Sequence, residues 1–179
     1  IDTSKISYML NFDMVGRLSA SYKLAVYGTG TSPVFEDVLK NANDPVKFHL
    51  VTQESGVGPS DHTSFYLKGY PVLHFFTGQH EDYHKPTDDF EKINIEGIEM
   101  IGDMVESLIQ QLATKDKLQF IKTKEDREST PRFTVTLGVM PDYMYQGDGM
   151  RIDGVTEGKP ASKAGLEKGD VVIKLGKVK

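Results

Sequence analysis

Residues 70–76 read Tyr-Pro-Val-Leu-His-Phe-Phe and end at Phe76. An apolar run this short and continuous predicts a strand buried on both faces. It is bounded by Gly69 before and Thr77-Gly78 after. Working outward, three more strands are predicted at Ile6–Met14, Lys23–Tyr27 and Val46–Thr52, the first apolar enough to be central. Gly28-Thr29-Gly30 closes the second. Ser32 then reads as the N-cap of a helix with Pro33 at its first position, and Val34, Phe35, Val38 and Leu39 give that helix an apolar face. A short helix is predicted over 61–68. The clearest helix runs from Glu96 to Ala113, where Ile98, Ile101, Val105, Leu108 and Leu112 recur at steps of three and four, with Met104 and Ile109 beside them. Strands alternating with helices predict an α/β layered sheet.

After Ala113 the texture changes. Residues 114–130 are rich in charge and lack a sustained apolar period, which predicts a linker with one short ordered piece at 118–121. Beyond it, 132–140, 150–155 and 170–175 read as strands, with a helical turn at 160–166. The domain organisation is therefore 1–113, a linker at 114–130, and a small β-rich module at 131–179. The chain starts at Ile1 without Met and stops at Lys179 on a strand and the start of a turn, so both ends read as cuts through a longer chain.

Composition narrows the function. Twenty-one Lys and Arg against 26 Asp and Glu give a net charge of -5, which argues against nucleic acid as a partner, since a duplex binder needs a basic face. There is no Cys, so thiolate metal sites, thiol nucleophiles and disulfides are excluded. No apolar run approaches the roughly 20 residues that span a bilayer.

Three clusters carry chemistry. Asn11-Phe12-Asp13-Met14-Val15-Gly16-Arg17 places Asp13 near the C-terminal end of a strand, where ligand sites of open α/β sheets lie. Position alone is better served by a strand-end Asp that caps the next turn or pairs with Arg17. In Gly58-Pro59-Ser60-Asp61-His62, Ser60 reads as a helix cap, and Asp61 and His62 as either a capped helix start or part of a site. His80 to Asp89 holds two His, four acids and a Tyr in ten residues. Imidazole and carboxylate are what zinc takes when thiolate is absent. His84 is the better metal candidate, and His49 and His74, each inside a strand, read as structural.

Taken together, Asn-Phe-Asp-Met-Val-Gly-Arg, Ser-Asp-His and Phe-Phe-Thr-Gly-x-His-x-Asp-Tyr-His-x-Pro-x-Asp resemble the C-terminal half of the co-catalytic di-zinc aminopeptidases (metallopeptidase family 28) over residues 6–112. The resemblance implies an α/β/α sandwich around a mixed sheet and two zinc ions sharing a bridging Asp and water. It implies Asp13 as ligand to one zinc and His84 as ligand to the other, with Tyr83 polarising the scissile carbonyl. Gly16 and Arg17 match positions lining the pocket for the substrate's amino-terminal residue, and Asp61 and His62 match substrate-side positions beside the metals. The family's other ligands come from earlier in sequence, yet no His-x-Asp precedes Asp13 and no Glu-Glu pair occurs. The expectation is a parent zinc exopeptidase and a fragment inactive by itself.

The tail has a resemblance of its own. Leu137-Gly138-Val139 followed by Pro-Ala-Ser-Lys-Ala-Gly-Leu-Glu-Lys-Gly-Asp-Val-Val-Ile173 is similar to the first half of a bacterial PDZ domain. That implies a peptide partner whose C-terminal carboxylate meets the backbone N–H groups of Leu137, Gly138 and Val139. A β-cap without a ligand is the alternative. For the whole chain, the competing expectations are a glutaminyl-cyclase-like acyltransferase on the same scaffold and a metal-free peptide-binding protein. Family analogy places the protein outside the cytoplasm, periplasmic or extracellular.

Overall fold

The computed structural model describes residues 3–46, 48–123, 136–142, 144–145 and 147–176. The chain divides into two compact units, one of residues 1–78 with 89–128, the other of residues 79–88 with 129–179.

The first unit is built on a four-stranded mixed sheet of β1 (Met9–Phe12), β2 (Lys23–Tyr27), β3 (His49–Gln53) and β4 (Val72–Phe76), in the order β1-β4-β2-β3. β1 and β4 run parallel, as do β2 and β3, while β2 and β4 are antiparallel. β4 is buried at all five positions, as its unbroken apolar run predicts. β1 differs from expectation. It is four residues long, only half-buried, and pairs on one side alone among the described residues, so it is not central in this sheet.

Period-two alternation sorts the side chains. Leu24 and Val26 of β2 and Leu73 and Phe75 of β4 share one core with α1 (Phe35–Asn43) and α3 (Ile95–Ala113). α1 contributes Phe35, Val38, Leu39 and Ala42, and α3 contributes Ile101, Met104, Val105, Leu108 and Leu112. Ile98 and Ile109 of α3 stay 37% and 43% exposed, so the buried stripe is narrower than the apolar pattern. Asn94 caps α3 by accepting from the Gly97 N–H. The opposite face of β4 presents His74, which meets α2 (His62–Tyr66).

Two predicted helix starts are corrected. α1 begins at Phe35, two residues later than read. Ser32 makes no side-chain cap, and its buried hydroxyl has no partner among the described residues. α2 begins at His62 with no side-chain cap from Asp61, and the Ser60 hydroxyl turns elsewhere. The turn after β2 needs glycine. Gly28 sits at φ +89°, and a Cβ there would lie 2.3 Å from the Val72 carbonyl oxygen.

Beyond α3 the chain returns to this unit. The Leu118 N–H donates to Ser7 Oγ, and the Ile121 N–H to the Thr31 carbonyl. Thr123 is buried, its N–H donating to Tyr66 Oη at 2.9 Å while its hydroxyl accepts from the Gly56 N–H at 3.1 Å.

In the second unit, β5 (Val139–Pro141), β6 (Met150–Val155) and β7 (Val171–Val172) form an antiparallel sheet in that order, with α4 (Pro160–Lys163) between β6 and β7. The predicted strand at 132–140 is described only from residue 136 onward. Asp142 accepts from Arg151 Nε at 2.8 Å and from the Met144 N–H at 2.9 Å, and the Arg151 guanidinium lies over the Tyr145 ring.

Candidate functional site

β1 delivers Asn11 and Asp13 to one end of the sheet. Asp13 is exposed just past the strand, its N–H donating to the Phe75 carbonyl at 3.2 Å, and this carries the β1–β4 ladder one residue further. Met14 follows at φ +54°, a left-handed conformation that costs a non-glycine residue about 1–2 kcal/mol. It turns the chain sharply into the 3-10 turn Val15–Arg17. The Thr77 hydroxyl holds this bend by donating to the Met14 carbonyl. Backbone strain of this kind concentrates at functional sites.

The Asp13 carboxylate accepts from Ser60 Oγ at 2.9 Å. Ser60 Oγ in turn accepts from Asn11 Nδ2 at 2.8 Å, and the same amide nitrogen lies 2.9 Å from His74 Nδ1. Asn11 and His74 are register partners on β1 and β4, which is why their side chains meet. The His74 ring stacks on His62, centroids 4.4 Å apart and planes within 4°. His62 has no exposed surface, and neither ring nitrogen has a partner among the described residues. Gly58 makes room for it, since a Cβ there would approach His62 Nε2 to 2.7 Å.

Burial chiefly sets the charge state of both rings. It pushes the His62 pKa down to about 4, with repulsion from His74 adding to the effect and attraction to Asp13 opposing it. His74 is lowered too, chiefly by burial, again against the pull of Asp13. Both imidazoles are neutral at neutral pH.

The other predicted residues are placed as follows. Asp61 is exposed, its carbonyl accepting from the Ser64 N–H. Gly16 and Arg17 are half-buried in the turn after Asp13. The Gly16 carbonyl accepts from the Asn94 N–H, and a Cβ on Gly16 would make ordinary contact with Ile93 at 3.5 Å. His62 is fully buried in this conformation and stacks on His74. In the second unit His84 is exposed at φ +56°, its ring 4.0 Å from that of Tyr83. Asp82 is buried and accepts from the Thr87 hydroxyl at 2.7 Å, and His80 Nε2 lies 3.9 Å from Asp88. The chain's one His-x-Asp, His80 to Asp82, lies after β4.

Leu137 is 42% exposed, Gly138 buried at φ +79° and Val139 half-buried at the start of β5. The Gly138 N–H donates to Thr136 Oγ1, and the Leu137 and Gly138 carbonyls accept from the Ala161 and Thr156 N–H groups.

Sequence reasoning missed Asn11, Ser60 and His74 as one constellation. The signal available was the Asn two residues before Asp13 and the Ser two before His62. Nothing in the sequence joined His74 to them.

Residues 1–109 match the profile of peptidase family M28. The chain belongs to that family. Among solved structures, this M28 chain is similar to the Legionella pneumophila LapA aminopeptidase, with 17% identity and a TM-score of 0.52 over 62% of this chain and 32% of that one. It is also similar to an aminopeptidase from Aneurinibacillus sp. strain AM-1, with 26% identity and a TM-score of 0.52 over 74% of this chain and 31% of that one. The chain thus spans about a third of the length of these proteins. Among curated proteins no match is found. The mixed α/β sheet is therefore the aminopeptidase type of fold.

Asp13 and His84 are of the types zinc selects. Among the described residues, however, no group of three or more His, Asp or Glu side chains converges on a metal position. A closed zinc site requires about four donors, so the described residues alone do not fit one.

Proposed function

We propose that this chain is the C-terminal part of the catalytic domain of a zinc-dependent aminopeptidase, joined to a PDZ-like peptide-binding module. The observation that carries the reading is Asp13, a carboxylate at the end of β1 in a family M28 chain, held by the Ser60 hydroxyl at 2.9 Å. An exposed carboxylate with one oxygen fixed in this way is prepared to take a partner with little reorganisation.

In this reading Asp13 and His84 each donate to one of two zinc ions, and the remaining ligands and the general base come from sequence outside this chain. Zinc in such a centre supplies an acidified water and a Lewis acid. The phenol of Tyr83 would donate to the oxygen of the scissile carbonyl as negative charge builds there. Gly16 and Arg17 would line the pocket for the amino-terminal residue, with Asp61 at its margin, and the substrates are peptides. Leu137, Gly138 and Val139 would receive a peptide C-terminus at the appended module. Family analogy also makes the protein an exported one. By itself the chain would be inactive.

The test is hydrolysis of aminoacyl-p-nitroanilides by the zinc-loaded parent protein. Asp13→Asn and His84→Ala should each abolish it while leaving thermal unfolding of the metal-free protein unchanged. Full activity in either variant would sink the proposal.

A further inference from the structure

The polar chain behind Asp13 has a direction, and that direction follows from hydrogen-bond inventories. A carboxylate can only accept, so the Ser60 hydroxyl must donate its single proton to Asp13. The Ser60 oxygen then offers only lone pairs to Asn11, and Nδ2 donates to it at 2.8 Å. The second N–H of the same amide lies 2.9 Å from His74 Nδ1. With Nδ2 as the donor, that nitrogen accepts, which puts the ring proton of neutral His74 on Nε2.

We propose that Asn11 and His74 are positioning residues which fix the Ser60 proton on Asp13, through the chain His74 Nδ1 to Asn11 Nδ2 to Ser60 Oγ to Asp13 Oδ2. The role given to Asp13 rests on the aminopeptidase reading, but the hydrogen-bond chain does not. His74 acts by forbidding one alternative. If the Asn11 amide turned over, its oxygen would face two groups at once. It would meet the lone pair of His74 Nδ1, which is repulsive, and it would compete with Asp13 for the Ser60 proton. The Nδ1 lone pair therefore keeps the amide nitrogen toward Ser60, and Asp13 keeps its donor. The environment of His74 supports this arrangement. The ring is 3% exposed and lies between His62, stacked at 4.4 Å, and Tyr27 and Phe76, with centroids 6.0 and 6.1 Å away. Packing leaves it little freedom to rotate. The titratable groups facing it are His62, Tyr27 and Asp13, and burial keeps both His74 and His62 neutral.

The test is two-bond 1H–15N correlation NMR of the histidine rings in the metal-free 179-residue chain. In the wild type His74 should appear at neutral pH as a single Nε2–H tautomer with a non-protonated Nδ1. Asn11→Asp replaces the amide by a near-isosteric group that can only accept, so it should reverse the chain and protonate Nδ1 of His74. A protonated Nδ1 in the wild type, or an unchanged Nε2–H tautomer in Asn11→Asp, would overturn the proposal. Should Asn11→Asp fail to fold, the wild-type tautomer decides alone. In the zinc-loaded parent protein, Asn11→Leu and Ser60→Ala should each lower zinc retention in dialysis, and the double variant should lose no more than Ser60→Ala. Additive losses would show that Asn11 does not act through Ser60. Neither NMR outcome depends on peptidase activity, so failure of the chain and failure of the aminopeptidase reading are distinguishable.

Discussion

Acidification should destabilise the first unit through His62. In the folded chain this imidazole is fully buried and its pKa is lowered to about 4, whereas an unfolded His titrates near 6.5. The unfolded state therefore binds the proton first. The stability contributed by the neutral ring is complete above the unfolded pKa and is lost as pH falls towards the folded one. Linkage gives a loss of about 2 kcal/mol by about pH 5 and about 3 kcal/mol by about pH 4. His74 shifts in the same direction for the same main cause, so the two rings act together. The assay is urea unfolding at a series of pH values, comparing wild type with His62→Leu. Leucine fills a similar volume and removes both unpartnered nitrogens. The variant should lose less stability on acidification than the wild type, by roughly 2–3 kcal/mol near pH 4. Parallel curves for the two proteins, or a wild type that gains stability in acid relative to the variant, would refute the reasoning.

Three further outcomes follow from particular contacts. Gly102 lies inside α3 with nothing within 4 Å of its would-be Cβ, so Gly102→Ala should stabilise by about 0.5–1 kcal/mol in thermal unfolding. Gly28→Ala would strike the Val72 carbonyl at φ +89° and should cost more than about 2 kcal/mol by the same measurement. Thr123→Val removes the hydroxyl that accepts from the Gly56 N–H and pairs with Tyr66 Oη. It should cost about 1–3 kcal/mol in urea unfolding and speed amide exchange at Gly56.

The elements were legible where the pattern was local. The apolar run at 72–76 and the helical stripe of α3 both read directly as buried elements. Element ends were less legible because backbone turns decided them. Ser32-Pro33 looks like a helix start, yet the helix waits until Phe35. Asp13 and His84 stand out by type and motif as candidate ligands only. Their supporting groups could not. Asn11 and His74 meet only because β1 and β4 are parallel in one register across 63 residues of sequence, and no local pattern encodes that pairing. Ser60 was misread for a related reason. A Ser before a helix ordinarily caps it by accepting from a backbone N–H, but here the Ser60 oxygen accepts from Asn11 Nδ2 and its proton goes to Asp13.

The most direct test of the central claim is an anomalous difference map at the zinc edge, from crystals of the parent protein grown with zinc. The account predicts two peaks, one against the Asp13 carboxylate and one against the His84 imidazole. Zinc-edge density absent from both residues, in crystals where the protein cleaves aminoacyl substrates, would contradict it.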